Sequence, residues 1–236
     1  MSRAQKLAVI IGTVGAIIVV SAILGGPAIL RSLFYSKPGR LPPVVGEATE
    51  QLLTRLQGVL ETNAPIIARS LNPGLPDARI AQLETEGKFR LSPDLRVLYR
   101  WHNGMITNSG SELLPGQRFI PLEEALAERN LMLQQSGAAF ELFAGYRKGW
   151  LHVLDDGAGD GYFYDPDRKD VDGAFFYHFA EDGHYVWFPS IRNFLSGVIG
   201  CYESYAVKIA PDGKTLEEDL DHTEKIWSRL AKISGP

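Results

Sequence analysis

Leu91-Ser-Pro-Asp-Leu-Arg-Val-Leu-Tyr-Arg-Trp-His-Asn-Gly104 is the stretch whose reading decides the fold. Ser92 stands before Pro93 and Asp94, the order expected where a helix starts. Proline lacks only an N–H that would be unpaired there. Leu95, Leu98, Tyr99 and Trp101 then recur at helical spacing, which predicts one buried face. Asn103-Gly104 reads as the stop, because glycine adopts the positive φ that ends many helices.

Working outward, the upstream residues predict more helix. Leu52, Leu53, Leu56, Val59 and Leu60 share one face of a helix over 46–63 that Pro65 closes. Asn72-Pro-Gly-Leu-Pro76 is a turn, with Asp77 as N-cap of a helix over 78–86 that Gly87 ends. Downstream, 121–135 fits a further helix. Beyond Gly137 the chain becomes short, aromatic and β-branched: 146–154, 161–164, 174–179 and 185–188 read as strands. Asp182-Gly183 is a hairpin signal between two of them. Helical spacing returns over 191–205, and a charged helix over about 215–231 closes the chain. The expectation is one α+β domain over 46–236, with a mostly antiparallel sheet packed by helices.

The N-terminus is a different object. Residues 1–6 are a short basic lead, and Leu7 to Leu30 are 24 consecutive residues without a charge. As a helix they extend about 36 Å, enough to cross a hydrocarbon core of about 30 Å. The competing reading is a cleavable secretory signal, against which the apolar core from Leu7 to Leu24 exceeds the usual h-region of about 7–15 residues. Ala8, Gly12 and Ala16 form a small-residue face that would let two spans pack as a homodimer. Positive charges flank the span equally, so they leave its orientation open. Residues 31–45, with Lys37-Pro-Gly-Arg-Leu-Pro-Pro43, read as a stiff juxtamembrane linker.

Charge and cysteine content exclude several classes. The 236 residues hold 24 Lys+Arg and 28 Asp+Glu; residues 1–30 carry only Arg3 and Lys6, so the rest stands at −6. An acidic domain is a poor nucleic-acid binder, and its net charge disfavours adsorption to an anionic membrane. Cys201 alone cannot form an internal disulfide or a multi-cysteine metal site.

Five stretches in order resemble the SUKH superfamily, named partly for the fungal Knr/Smi-type cell-wall assembly regulators. They are 75–86, 91–104, Phe119-Ile-Pro-Leu-Glu-Glu-Ala-Leu126, Trp150-Leu-His-Val-Leu-Asp-Asp-Gly-Ala-Gly-Asp160 and Ser190-Ile-Arg-Asn-Phe-Leu195, within about 49–205. The resemblance implies a binding module without catalytic chemistry. Its bacterial relatives are immunity proteins that neutralise toxins, its fungal ones scaffolds. It also implies that Leu91, Pro93, Leu98, Tyr99, Trp101, His102, Asn103, Gly104, Gly157 and Gly159 are signature positions of structural weight, and that the domain works on the cytoplasmic side.

The residues themselves offer a candidate contact surface. Asp155, Asp156 and Asp160 crowd a glycine-rich turn, with Tyr162 and Tyr164 on the strand that follows. Carboxylates there suit a basic protein partner. The calcium-loop pattern fails from Asp156, where Ala158 and Asp167 occupy two ligand positions, so neither metal nor cofactor is expected. The competing chemistry is a membrane-anchored hydrolase that pairs the 155–160 carboxylates with His102 or His152. His102-Asn103-Gly104 also reads as a helix terminus. The leading expectation is a single-pass, membrane-anchored, non-enzymatic module that binds a protein such as a toxin.

Overall fold

The computed structural model describes residues 41–106, 110–135, 149–166, 174–179 and 185–234. The expected span at 7–30, most of its linker and the Asp182-Gly183 turn lie outside the described residues. Among those described, no helix is long and apolar enough to cross a membrane.

The expected α+β architecture is present. Helix α1 (Thr49–Asn63) leads into α2 (Pro65–Ser70) and β1 (Leu71–Pro73). Then come α3 (Asp77–Glu86), α4 (Pro93–Trp101), β2 (His102–Met105), β3 (Arg118–Phe119) and α5 (Leu122–Gln135). Strands β4 (Leu151–Asp155), β5 (Gly161–Asp165), β6 (Ala174–His178) and β7 (Tyr185–Phe188) precede α6 (Ile191–Glu203). The chain ends with β8 (Val207–Ile209), β9 (Leu216–Glu218), α7 (Leu220–Leu230) and β10 (Lys232–Ser234).

The main sheet runs β10-β7-β6-β5-β4-β3, and each neighbouring pair is antiparallel. The register places Leu154, Tyr162 and Tyr177 side by side, and likewise Leu151, Tyr164, Phe175 and Phe188. That face joins the main core, where Phe194 of α6 lies 4.7 Å from both Tyr162 and Phe175. The other face carries His152, Phe163, Phe176 and Trp187, and it is buried as well. Trp150 meets Phe176 edge-on at 4.5 Å, and His152 stacks on Phe163 at 4.1 Å. Consecutive aromatics therefore supply two apolar layers, because neighbouring side chains point to opposite faces. On the main-core side, α1 buries Leu52, Leu53, Leu56 and Leu60 and packs against α6.

Several boundaries differ from expectation. Pro65 occupies the first position of α2, where its missing N–H is tolerated. Pro76 takes the N-cap of α3, so Asp77 sits inside the first turn and complements the helix dipole instead of capping. Ser92 stands where the helix was expected to start, and it caps α4 by accepting from Leu95 N at 3.2 Å.

Gly104 does not end α4. The chain turns directly into β2, paired with β1, and Gly104 (φ +69) lies within that strand. The expected helix over 215–231 begins later, at Leu220. Asp212 accepts from the amides of Lys214 and Thr215 and reverses the chain, so 216–218 pair with β8. Asp219 then caps α7 by accepting from His222 N.

Within the stretch read as linker, Pro43 and Val45 are bonded to the domain. Asn193, fully buried at the start of α6, accepts from Val45 N at 3.1 Å. Through Nδ2 it donates to the carbonyls of Pro43 at 3.1 Å and Leu230 at 3.3 Å. One side chain ties the incoming chain to both terminal helices.

Candidate functional site

The β4–β5 turn is built by its own acids. Asp155 Oδ1 accepts from Gly157 N at 2.7 Å, and Asp156 Oδ1 accepts from Ala158 N at 2.8 Å and Asp160 N at 3.0 Å. Such side-chain-to-backbone bonds two residues on are the usual means by which Asp makes turns. Gly157 (φ +79) and Gly159 (φ +108) hold conformations that L side chains rarely adopt. These two signature glycines let the turn close.

A second loop lies beside the turn. Glu112 accepts from Gly116 N at 2.8 Å. The two loops enclose a shallow cleft of about 200 Å³ lined by Gly110, Ser111, Glu112, Gly116, Arg118, Asp155, Asp156 and Gly157. Arg118 is held by Glu124 and lies 3.6 Å from Asp155 Oδ2. Asp156 is exposed, Asp155 and Asp160 half-buried. Below them Tyr177 accepts from Gln117 Nε2 at 3.2 Å, and burial with nearby Asp160 and Asp156 pushes its phenol up to about 12.

The candidate tyrosines fare differently from the acids. Tyr164 is buried against the main core, so it offers no exposed contact. Its place in the register, beside Leu151 and Phe175, aims it inward. Tyr162 is half-buried and packs on Phe194 and Tyr177, and burial raises its hydroxyl's pKa. The acidic half of the expected surface is accessible; the aromatic half is packing. Glu112 and Arg118 were missed because they come from a loop and a two-residue strand without periodicity, some forty residues upstream.

The hydrolase constellation is not assembled. His102 Nδ1 lies 2.6 Å from the carbonyl of Asn72, and its Nε2 lies 3.0 Å from Gln57 Oε1. Burial lowers its pKa more than the Asn72 carbonyl raises it. His152 is buried under Phe163 with Nδ1 3.0 Å from Glu128, and neither histidine lines the cleft. Among the described residues, no three His, Cys, Asp or Glu side chains gather as a metal site.

The remaining signature residues lie within or against the core and its helix ends. Leu91, Leu98 and Tyr99 are buried, Pro93 opens α4, and Trp101 meets His102 edge-on at 4.4 Å. Asn103 caps α5 at a distance: its Oδ1 accepts from Leu122 N at 2.8 Å, and its Nδ2 donates to Glu123 at 2.8 Å.

No curated protein matches this chain. The model of the SMI1 / KNR4 family (SUKH-1) matches residues 74–197, from the turn before α3 into the middle of α6. That leaves α1 and the C-terminal elements outside, a shorter span than the 49–205 read from the motifs. With more than half its length matched, the chain belongs to the SMI1 / KNR4 family (SUKH-1).

Proposed function

We propose that this protein is a membrane-tethered, non-enzymatic binding module that holds a basic protein partner, such as a toxin it neutralises, at the β4–β5 turn. The family supports a protein-binding or immunity role. The observation that carries the choice of surface is the geometry of Asp155 and Asp156. Turn amides and Arg118 fix the Asp155 carboxylate, and turn amides fix that of Asp156, at the rim of an open cleft. Preset carboxylates lose little side-chain entropy when a Lys or Arg docks against them.

The apolar run at 7–30 supports the tether, and the domain's negative balance supports a basic partner. The test is affinity capture from the source cell with wild-type and Asp155→Asn/Asp156→Asn/Asp160→Asn protein. A basic partner retained by the former and released by the latter supports the reading. A partner captured equally by both removes the turn from it. The tether is tested separately by flotation of the full chain with vesicles.

A further inference from the structure

The sheet register gives the domain two poles. Asp155, Gly161, His178 and Tyr185 align at one end, with the acidic turn beyond them; Leu151, Tyr164, Phe175 and Phe188 align at the other. Those rows are three or four residues apart, about 10–13 Å at a strand's rise. Asn193 lies past Phe188, so its hold on Pro43 and Val45 brings the N-terminal segment in at the pole away from the acidic turn.

Among the described residues, unpaired basic charge lies at the tether pole, where the acids Glu47 and Asp94 are paired with Arg55 and Arg192. Lys225 and Arg229, one helical turn apart on α7, are exposed, and so is Lys232, which pairs with Trp187 at the start of β10. Leu230 between them is bound to Asn193, which fixes this end of α7 at the tether pole. Among the described residues none of the three cations has an ion-pair partner; Glu224 and Asp221 are the exposed acids on the same helix. The sequence adds Arg31, Lys37 and Arg40 just before the clamp. Glu112, Asp155, Asp156 and Asp160 stand at the far pole. The balance of −6 that disfavours adsorption is thus unevenly spread, and a surface responds to the charges facing it within a Debye length.

We infer that the face formed by Lys225, Arg229 and Lys232 docks on anionic lipid headgroups and turns the acidic cleft toward solvent. This rests on the tether reading for its geometry, and it deepens the proposed function. A partner reaching the cleft comes from the aqueous phase, not from within the bilayer. About 13 residues separate Leu30 from Pro43, a tether of about 40 Å as polyproline II and at most about 47 Å fully extended. That is short enough to keep the basic pole near the surface and long enough for it to settle there.

The experiment uses the full chain, labelled at Ser228→Cys on the basic pole or Ala158→Cys on the acidic turn. It is mixed with vesicles carrying a headgroup-level quencher. Phosphatidylcholine vesicles are compared with vesicles that also contain phosphatidylserine. The inference expects the label at 228 to be quenched at least twofold more than that at 158, with a contrast that grows with phosphatidylserine. About 1 M salt, where the Debye length is about 3 Å, abolishes the growth. So does Lys225→Gln/Arg229→Gln/Lys232→Gln, a surface change that leaves the core intact. Equal quenching at the two positions, or a contrast indifferent to phosphatidylserine, overturns it. Flotation only with phosphatidylserine vesicles sinks the tether reading and leaves the docking face standing; flotation with neither sinks both.

Discussion

A Cβ placed on Gly104 would lie 2.4 Å from the backbone nitrogen of Pro121, and Gly104 itself holds φ +69. Two elements meet there with no room for a side chain: strand β2, and the residues between β3 and α5. Gly104→Ala meets both the left-handed strain, about 1–2 kcal/mol, and a backbone clash that no rotamer relieves. Urea denaturation of the variant is expected to show a loss of about 3 kcal/mol or more. A loss below about 1 kcal/mol would mean that β2 and Pro121 separate easily.

Gly197 poses a contest between local and tertiary preference. In the middle of α6, Gly→Ala ordinarily gains up to about 1 kcal/mol of helix propensity. Here the new methyl would lie 1.9 Å from Trp227 Cζ3, and Trp227 stacks on Phe194 at 6.0 Å. Overpacking of this kind costs about 1–3 kcal/mol. Gly197→Ala is therefore expected to lower stability, and pairing it with Trp227→Leu should recover part of the loss. A thermal melt in which the single variant is more stable would show that α7 shifts freely on α6.

Helices α4 and α5 and strands β5 to β7 were legible because their signals are local: a proline at the first turn, helical spacing, aromatic runs bounded by turns. The C-terminal hairpin was hidden in a charged run whose direction is reversed by Asp212, a residue with no apolar pattern. Asn193 was invisible as a clamp, since its partners Pro43 and Leu230 lie 150 and 37 residues away. At the acidic turn, Asp155, Asp156, Gly157 and Gly159 were readable as a turn. The neighbouring loop that makes it a cleft was not, because sequence carries no distance between residue 112 and residue 155. Tyr162 and Tyr164 were offered as contact residues while the burial of the aromatic strands stayed open, for a related reason. Alternation assigns a strand's faces but does not say that helices cover both.

His102 gives a pH dependence with a definite sign. Its pKa in the folded protein lies below the ordinary 6.5 because burial opposes the charged ring. Above 6.5 the ring is neutral in both states and its contribution to stability is fully present. As pH falls below 6.5 the unfolded chain takes up the proton first, so stability declines until the folded ring also protonates. Urea midpoints at pH 7.5 and 5.5 are expected to differ more for wild type than for His102→Asn. Equal shifts in both proteins would assign the decline to other groups.

Cys201 is fully buried in α6, and burial pushes its thiol up to about 12. Thiolate is the reactive form, so the native chain should consume almost no iodoacetamide at pH 8. Complete labelling should appear only in denaturant. Rapid native labelling would show that α6 opens locally, and mass spectrometry distinguishes the two outcomes.

Asn193 is the residue where the incoming chain meets the fold, and its loss should separate them. Asn193→Ala removes two bonds to Pro43 and Val45, one to Leu230 and the one accepted from Ser190 Oγ, and leaves the three backbone groups without their partner. Buried groups left unsatisfied cost about 1–3 kcal/mol each, although Pro43 and Val45 can regain water by lifting away. The Leu230 carbonyl, at the end of α7, has less freedom to do so. The expected global loss is therefore about 2 kcal/mol, smaller than three stranded groups would give. The local effect should be larger: limited proteolysis should cut before Gly46 much faster in the variant, while α1 onward stays protected. Asn193→Asp keeps the acceptor for Val45 N and loses the donors, so it should release Pro43 while retaining part of the protection. If proteolysis before Gly46 is unchanged in both variants, the segment is held by packing and the clamp does not set where the chain enters the domain.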